Sequence, residues 1–346
     1  VYKRQSLDRP LGINMLEYNP ERPEEKTFIV NELMSIFDKL YDMKATGGPM
    51  FEQYMRNALL LLMESAGEEP ATLMEVPRLF SDAEYRRRKL DNAKNPTVID
   101  FWEKEAEKAG GEAALKNITP YVTSKFNNFV ANDYMRLIVG QPRSAFNVRK
   151  VMDEGKILLV NLAKGKIGDI NANLLGMIIV GKMLFAALSR VDVPEGERRD
   201  FNVFIDEFQN FTTESIAAIL SEARKYRMSL TVAHQFVAQL GDKIRDAVFG
   251  NVGSMVAFRV GAEDAEILKK QFEPFLTTED LVNIDNFNAY AKLLLNGATT
   301  DPFSIRTYPL PATDAVRAKR IFGASKEKYG RPRGEVEQGI INRLRN

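Results

Sequence analysis

The chain has 346 residues, 45% of them hydrophobic, enough for one large domain, or a domain with a sizeable insertion, to bury a core without cross-links. Cysteine is absent, which excludes a disulfide framework, a thiolate zinc site and a cysteine nucleophile, and points to a reducing, cytosolic setting. The 48 basic and 47 acidic residues leave a net charge of +1, so any surface that faces nucleic acid has to be local.

No run reaches the roughly 18 to 20 uncharged apolar residues of a membrane-spanning helix. Val1 to Pro10 hold no apolar signal core, and the first residue is Val rather than Met, so further sequence is expected upstream. Gly12 to Tyr18 reads as a short apolar strand, Asn19 to Pro23 as a turn, and Phe28 to Met43 as a helix. After Gly47-Gly48-Pro49 the pattern changes to long, charged helical stretches with few β-branched runs, as far as about Val148. This block contains the apolar run Tyr54 to Met63, the basic cluster Arg86 to Lys89, and a helix that carries Phe101 and Trp102.

From Gly155 the chain alternates strands and helices. Lys156 to Leu162 (KILLVNL) has the continuous apolar character of a strand buried on both faces. A helix from about Asn171 to Arg190 follows, then strands at Phe201 to Ile205, Leu230 to Ala233 and Ser254 to Val260, with helices between them. Ala289 to Leu295 and Ile305 to Tyr308 add further strands. Such an order predicts an α/β fold with a mostly parallel central sheet and an inserted all-α domain. The boundaries drawn from it are 1–49 and 149–325 for the two parts of the α/β domain, 50–148 for the insertion, and 326–346 for a charged C-terminal tail.

The chemistry concentrates at the end of the strand Phe201 to Ile205, where two carboxylates, Asp206 and Glu207, stand side by side. Open parallel sheets bind ligands outside the carboxyl ends of their strands. A hydrophobic strand ending in Asp-Glu is the Walker B arrangement. Asp206 would hold Mg²⁺ or its water, and Glu207 would orient and deprotonate the water that attacks a phosphoryl group. The competing reading is an ordinary strand ending in a solvated turn. Its neighbours favour the first reading: the next strand ends in Gln235, placed to sense a γ-phosphate, and the helix before that strand ends in Arg224, Lys225 and Arg227. Arg224 is the candidate arginine finger for a neighbouring subunit's phosphate, with Arg227 as its rival; cations that offset a helix dipole are the alternative for both. His234 is read as packing.

The runs VNLAKGKIGDINANLLG (160–176), FIDEFQNF (204–211), LSEARKYRMSLTVAHQ (220–235) and NVGSMVAFRVGAEDAEIL (251–268) resemble the motor domain of type IV secretion coupling proteins. These are TraD/TraG-like conjugative DNA-transfer ATPases of the HerA/FtsK superfamily. The resemblance implies a RecA-like P-loop NTPase fold that uses ATP and Mg²⁺. Its catalytic residues would be Glu207, Arg224 and Gln235, with Asp206 on the metal and Gln235 also against the nucleotide. It further implies a homo-oligomeric ring, a hexamer, that moves single- or double-stranded DNA. Its partners would be a relaxase or relaxosome and secretion-channel proteins, and its motor domain would be cytoplasmic and tethered to the membrane by an N-terminal anchor. The family's phosphate loop, G-x-x-x-x-G-K-[ST], is missing. The near-match Gly176 to Met183 (GMIIVGKM) ends in Met inside an apolar run and reads as packing, so the loop and the anchor are expected upstream of Val1. A cytosolic HerA/FtsK-type translocase, or a non-catalytic ring component that no longer binds ATP, are the alternatives. The basic cluster Arg86 to Lys89 is read as a solvated helix face balanced by Asp82, Glu84 and Asp91.

Overall fold

The computed structural model describes residues 8–64, 70–106, 111–162, 164–213 and 215–345. The chain forms two compact units: residues 1–199 with 316–346, and residues 200–315.

In the first unit every described element is helical. The helix Glu24–Tyr41 buries Ile29, Val30, Leu33, Ile36 and Phe37, a stripe at the spacing that puts apolar side chains on one face. Gly48–Glu64 does the same with Phe51, Tyr54, Met55, Ala58, Leu59 and Leu62. These stripes meet an aromatic centre in which Phe37 lies 5.1 Å from Phe126, and Phe80 5.6 Å from the fully buried Trp102. Arg333–Arg345 closes the same core, because Val336 and Ile340 stand one turn apart and are both buried.

Two expected strands are not formed in this unit. Gly12 to Tyr18 turns at Met15-Leu16, since Asn14 takes over the bonding a ladder would have supplied: its amide donates to the carbonyls of Ala71 (2.9 Å) and Pro142 (2.8 Å), and its Oδ1 accepts from Leu16 N (2.9 Å). Lys156 to Leu162 forms no regular strand, with a single isolated bridge at Val160. Val160 and Leu162 pack on the helical core while Ile157 is 87% exposed. The run has the apolar content of a two-sided buried strand, but only one side is covered.

The helix Asp169–Leu188 buries most of its length. An 18-residue stretch within Asp169–Asp192 has a mean hydropathy of 1.8 and is apolar enough to pass for a membrane span by length and composition, although Lys182 interrupts its uncharged run. Its burial against Glu24–Tyr41 and Val148–Asp153 makes it a core helix of this unit. The near-match to a phosphate loop lies inside it. Gly181 is there because a Cβ would come within 2.9 Å of the Glu32 side chain, and burial pushes the Lys182 ammonium below its ordinary value against the opposing pull of Glu17 and Glu25.

The basic cluster is only partly solvated, which corrects the expectation for it. Arg86 and Lys89 are buried. Arg86 donates to the Leu79 carbonyl at 3.0 Å and lies 6.0 Å over the Trp102 ring, and the Lys89 and Arg88 cations lie 5.5 and 5.4 Å from the Tyr85 ring. Arg87 and Arg88 are exposed as expected, and Arg87 pairs on the surface with Asp91 at 3.0 Å. Aromatic faces that attract cations help hold Arg86 and Lys89 against the core, while Arg87 and Arg88 stay exposed.

The second unit is α/β. Its strands are β1 (Phe201–Ile205), β2 (Met228–Val232), β3 (Met255–Ala257), β4 (Asn288–Lys292), β5 (Leu294–Leu295), β6 (Ala298–Thr299) and β7 (Phe303–Arg306). β1 and β2 pair in parallel, joined by the helix Ser215–Glu222 as a crossover. β3, β4 and β7 form an antiparallel sheet, a departure from the mostly parallel pairing expected. The β4-to-β7 connection holds only the small β5–β6 hairpin, too short for the crossover a parallel pair requires. Leu281, Phe272 and Ala265 fill the core beneath that sheet.

A charge network fixes the loops of the first unit. Asp192 accepts from Arg22 Nη2 at 2.5 Å and from both terminal nitrogens of Arg149, whose Nε reaches Asp153 at 3.1 Å. The Arg149 guanidinium, followed by Arg22, holds the Asp192 carboxyl down at about 2. Its contribution is therefore fully present above the unfolded value of roughly 3.9 and is lost as pH falls through about 2. Asp192→Asn is expected to cost about 1 kcal/mol at pH 7, a figure kept small by solvent exposure. In thermal melts the gap between variant and parent should close as pH falls from 5 toward 2; a gap independent of pH would contradict the assignment.

Candidate active site

The parallel register of β1 and β2 sets Ile205 beside Val232, so the two strands end together. The ladder runs on past both ends: Ala233 N donates to the Ile205 carbonyl and Phe208 N to the Ala233 carbonyl, each at 2.9 Å. Between those bonds the chain must turn sharply, and Glu207 does so in the left-handed region, with φ 51° and ψ 41°. A residue with a Cβ pays of order 1 kcal/mol for that backbone. Phe208, wholly buried, pins the turn from the far side.

This turn brings two of the sequence-predicted residues into direct contact. Gln235, exposed just beyond β2, donates from Nε2 to Glu207 Oε1 at 2.6 Å. The other oxygen of the same carboxylate, Oε2, accepts from Gln209 Nε2 at 2.7 Å. Gln209 was not singled out from the sequence. Its signal was its position, two residues past a glutamate at a strand end, where a tight turn folds the amide back. Asp206 is exposed, and its Oδ1 accepts from the Glu207 backbone N at 3.0 Å. That leaves its second oxygen open to water.

The arginines separate. Arg224 lies on the short 3-10 turn Ala223–Tyr226 and is exposed, with no ion pair or hydrogen bond from its side chain among the described residues. Arg227 is engaged at the start of β2: it sits in the left-handed region at φ 55°, its carbonyl accepts from Phe201 N at 2.8 Å, and its guanidinium reaches Asp200 at 3.3 Å. His234 is half-buried. Burial pushes its imidazole below the ordinary value, and Asp264, held by Val237 N at 3.1 Å, pulls the other way.

Among the described residues no group of three or more His, Asp or Glu converges as a protein-built metal cage. A lone strand-end carboxylate with a free oxygen fits Mg²⁺ all the same, since that ion keeps several waters and takes one or two carboxylates together with substrate phosphates. A phosphate cradle is absent from the described residues, because the one glycine-spaced lysine segment is buried helix.

The fold is α/β and RecA-like, with an all-helical part. Solved structures of the plasmid coupling protein TrwB share it. The unbound bacterial conjugative coupling protein TrwBΔN70 has a TM-score of 0.58 at 14% identity, covering 89% of this chain and 74% of that one. TrwB in complex with ADP and Mg²⁺ has a TM-score of 0.59 at 15% identity, covering 91% and 75%. TrwB with a non-hydrolysable ATP analogue has a TM-score of 0.55 at 14% identity, covering 90% and 74%. No family description and no curated protein matches the chain by sequence.

The turn makes one stability prediction. Phe208→Ala is expected to cost about 3–5 kcal/mol, as for other fully buried aromatic truncations, read as a lowered denaturant midpoint. A loss below about 1 kcal/mol would mean that Phe208 does not anchor the Glu207 turn.

Proposed function

We propose that the chain is part of an ATP-driven DNA-transfer motor, which couples a conjugative or type IV secretion substrate with its relaxase to a secretion channel. The observation that carries this reading is the 2.6 Å bond between Glu207 and Gln235 at the joint end of two parallel strands. It puts a base and a phosphate sensor in one hydrogen-bonded unit where open sheets receive ligands. TrwB's crystallisation with ADP, Mg²⁺ and nucleotide analogues supports the choice of ligand.

In this reading Asp206 would hold the water shell of a magnesium ion through its open oxygen, and the ion would supply charge neutralisation on the phosphates. Glu207 orients water. As the water oxygen forms its bond to the γ-phosphorus, its proton passes to Glu207, and the bond to the bridging oxygen breaks with its electron pair leaving on ADP. Gln235 senses the γ-phosphate by exchanging its bond to Glu207 for one to phosphate. Arg224, exposed and uncommitted, reaches a neighbouring copy's phosphate as a finger in trans. Arg227, occupied by Asp200 and by the strand start, does not.

The test is DNA-stimulated ATP hydrolysis by the full-length protein that carries this chain. Glu207→Gln is expected to lower kcat by ~10² to 10⁴-fold with nucleotide binding retained; unchanged turnover would remove Glu207 from the chemistry. Arg224→Ala should cost ~10³-fold or more in kcat and spare binding, whereas Arg227→Ala should act mainly on stability. Loss of nucleotide binding in Arg224→Ala would make that arginine structural. A protein silent toward ATP would leave the ring-scaffold reading in its place.

A further inference from the structure

The acid at the end of β1 has a partner that neither the strand pattern nor the resemblance assigns. Gln209 stands on the turn Phe208–Asn210, is only 8% exposed, and holds Glu207 Oε2 at 2.7 Å. Its own Oε1 is buried without a hydrogen-bond partner. Turning the amide over would set that oxygen against the carboxylate, so Gln209 keeps the orientation that serves Glu207 and leaves its own acceptor unpaired. Buried polar atoms are rarely left so, which marks the contact with Glu207 as the one that decides the rotamer.

The two amides on Glu207 are therefore unequal. Gln235 is exposed, beyond the end of its strand, and can leave. Gln209 is buried on a turn pinned by Phe208 and by the Thr212 hydroxyl, which donates to the Gln209 carbonyl at 3.3 Å, and it stays. We infer that Gln209 is the positioning residue of the Glu207 base: it fixes the carboxylate through Oε2, so that departure of Gln235 opens Oε1 alone, already aimed. With both amides in place each oxygen already accepts one bond, and the side of Oε1 that faces Gln235 is closed to water. With Gln235 gone the carboxylate keeps its rotamer rather than swinging into solvent. The inference rests on the reading of Glu207 as the base.

The experiment compares Gln209→Met, Gln235→Ala and Glu207→Gln in the full-length protein with Mg-ATP. Met keeps the volume and unbranched shape of Gln while removing the donor, so the turn should still pack. Gln209→Met is expected to lower kcat ~10-fold or more with KM nearly unchanged, whereas Gln235→Ala, which removes the phosphate contact itself, should move KM as well. In the Glu207→Gln background the Gln209→Met change should cost no more than about twofold, because Gln209 acts through that carboxylate; an equal loss in both backgrounds would make its role structural and overturn the inference. If Glu207→Gln is inactive while Gln209→Met keeps kcat, the inference is overturned and Glu207 stands. If Glu207→Gln is as active as the parent, the base assignment itself has failed. Should Gln209→Met not fold, Gln209→Leu, close in volume and equally without a donor, is put through the same two measurements.

Discussion

A carboxylate at a strand end is useful for chemistry only if its direction is fixed, and here that direction is fixed by hydrogen bonds that side-chain amides donate to both of its oxygens. Gln235 and Gln209 reach Glu207 at 2.6 and 2.7 Å. They can do so because β1 and β2 end level and because the backbone at Glu207 enters the left-handed region. Each condition depends on the others. A register slip of one residue would turn Gln235 to the other face of its strand, and a right-handed turn at Glu207 would move the carboxylate away from both donors. The backbone cost at Glu207 is of the kind that persists at functional sites when the surroundings over-determine the conformation; here the surroundings are the buried Phe208 ring and the continued ladder through Ala233.

The same logic separates the charged groups around it. Arg227 is held by Asp200 and takes part in starting the strand pair, so its charge is already used within the unit. Arg224, one turn earlier, has no such use. Proximity in sequence made the two equivalent candidates. The left-handed cap at Arg227 divides them, since it ties the backbone and guanidinium of one arginine into the strand junction and leaves the side chain of the other unengaged among the described residues.

What could be read from the sequence followed local pattern. β1 is found at the expected residues, and β2 begins two residues earlier than expected, because short apolar runs between turn residues are bounded by their neighbours. The helical character of the Met50 to Val148 block was also legible, from charges at helical spacing. Gly12 to Tyr18 was not legible as a turn, since its apolar residues are buried as a strand's would be and only the three hydrogen bonds of the Asn14 side chain redirect it. KILLVNL has the composition of a two-sided strand, but strand formation needs a partner as well as a composition. The membrane-like hydropathy of Asp169–Asp192 and the burial of Arg86 and Lys89 depend on which surfaces surround them, and that information is tertiary. Gln209 escaped for the same reason: its role follows from a turn geometry that no spacing rule specifies.

The central claim is that Asp206, Glu207 and Gln235 face a magnesium nucleotide. The most direct test is a structure of the full-length protein with Mg²⁺ and a non-hydrolysable ATP analogue. The account predicts the metal's water shell against Asp206, Gln235 Nε2 moved from Glu207 to the γ-phosphate, and Glu207 still bonded to Gln209. A nucleotide bound away from the ends of β1 and β2, or one that leaves the Glu207–Gln235 bond in place with its γ-phosphate out of reach of both, would contradict it.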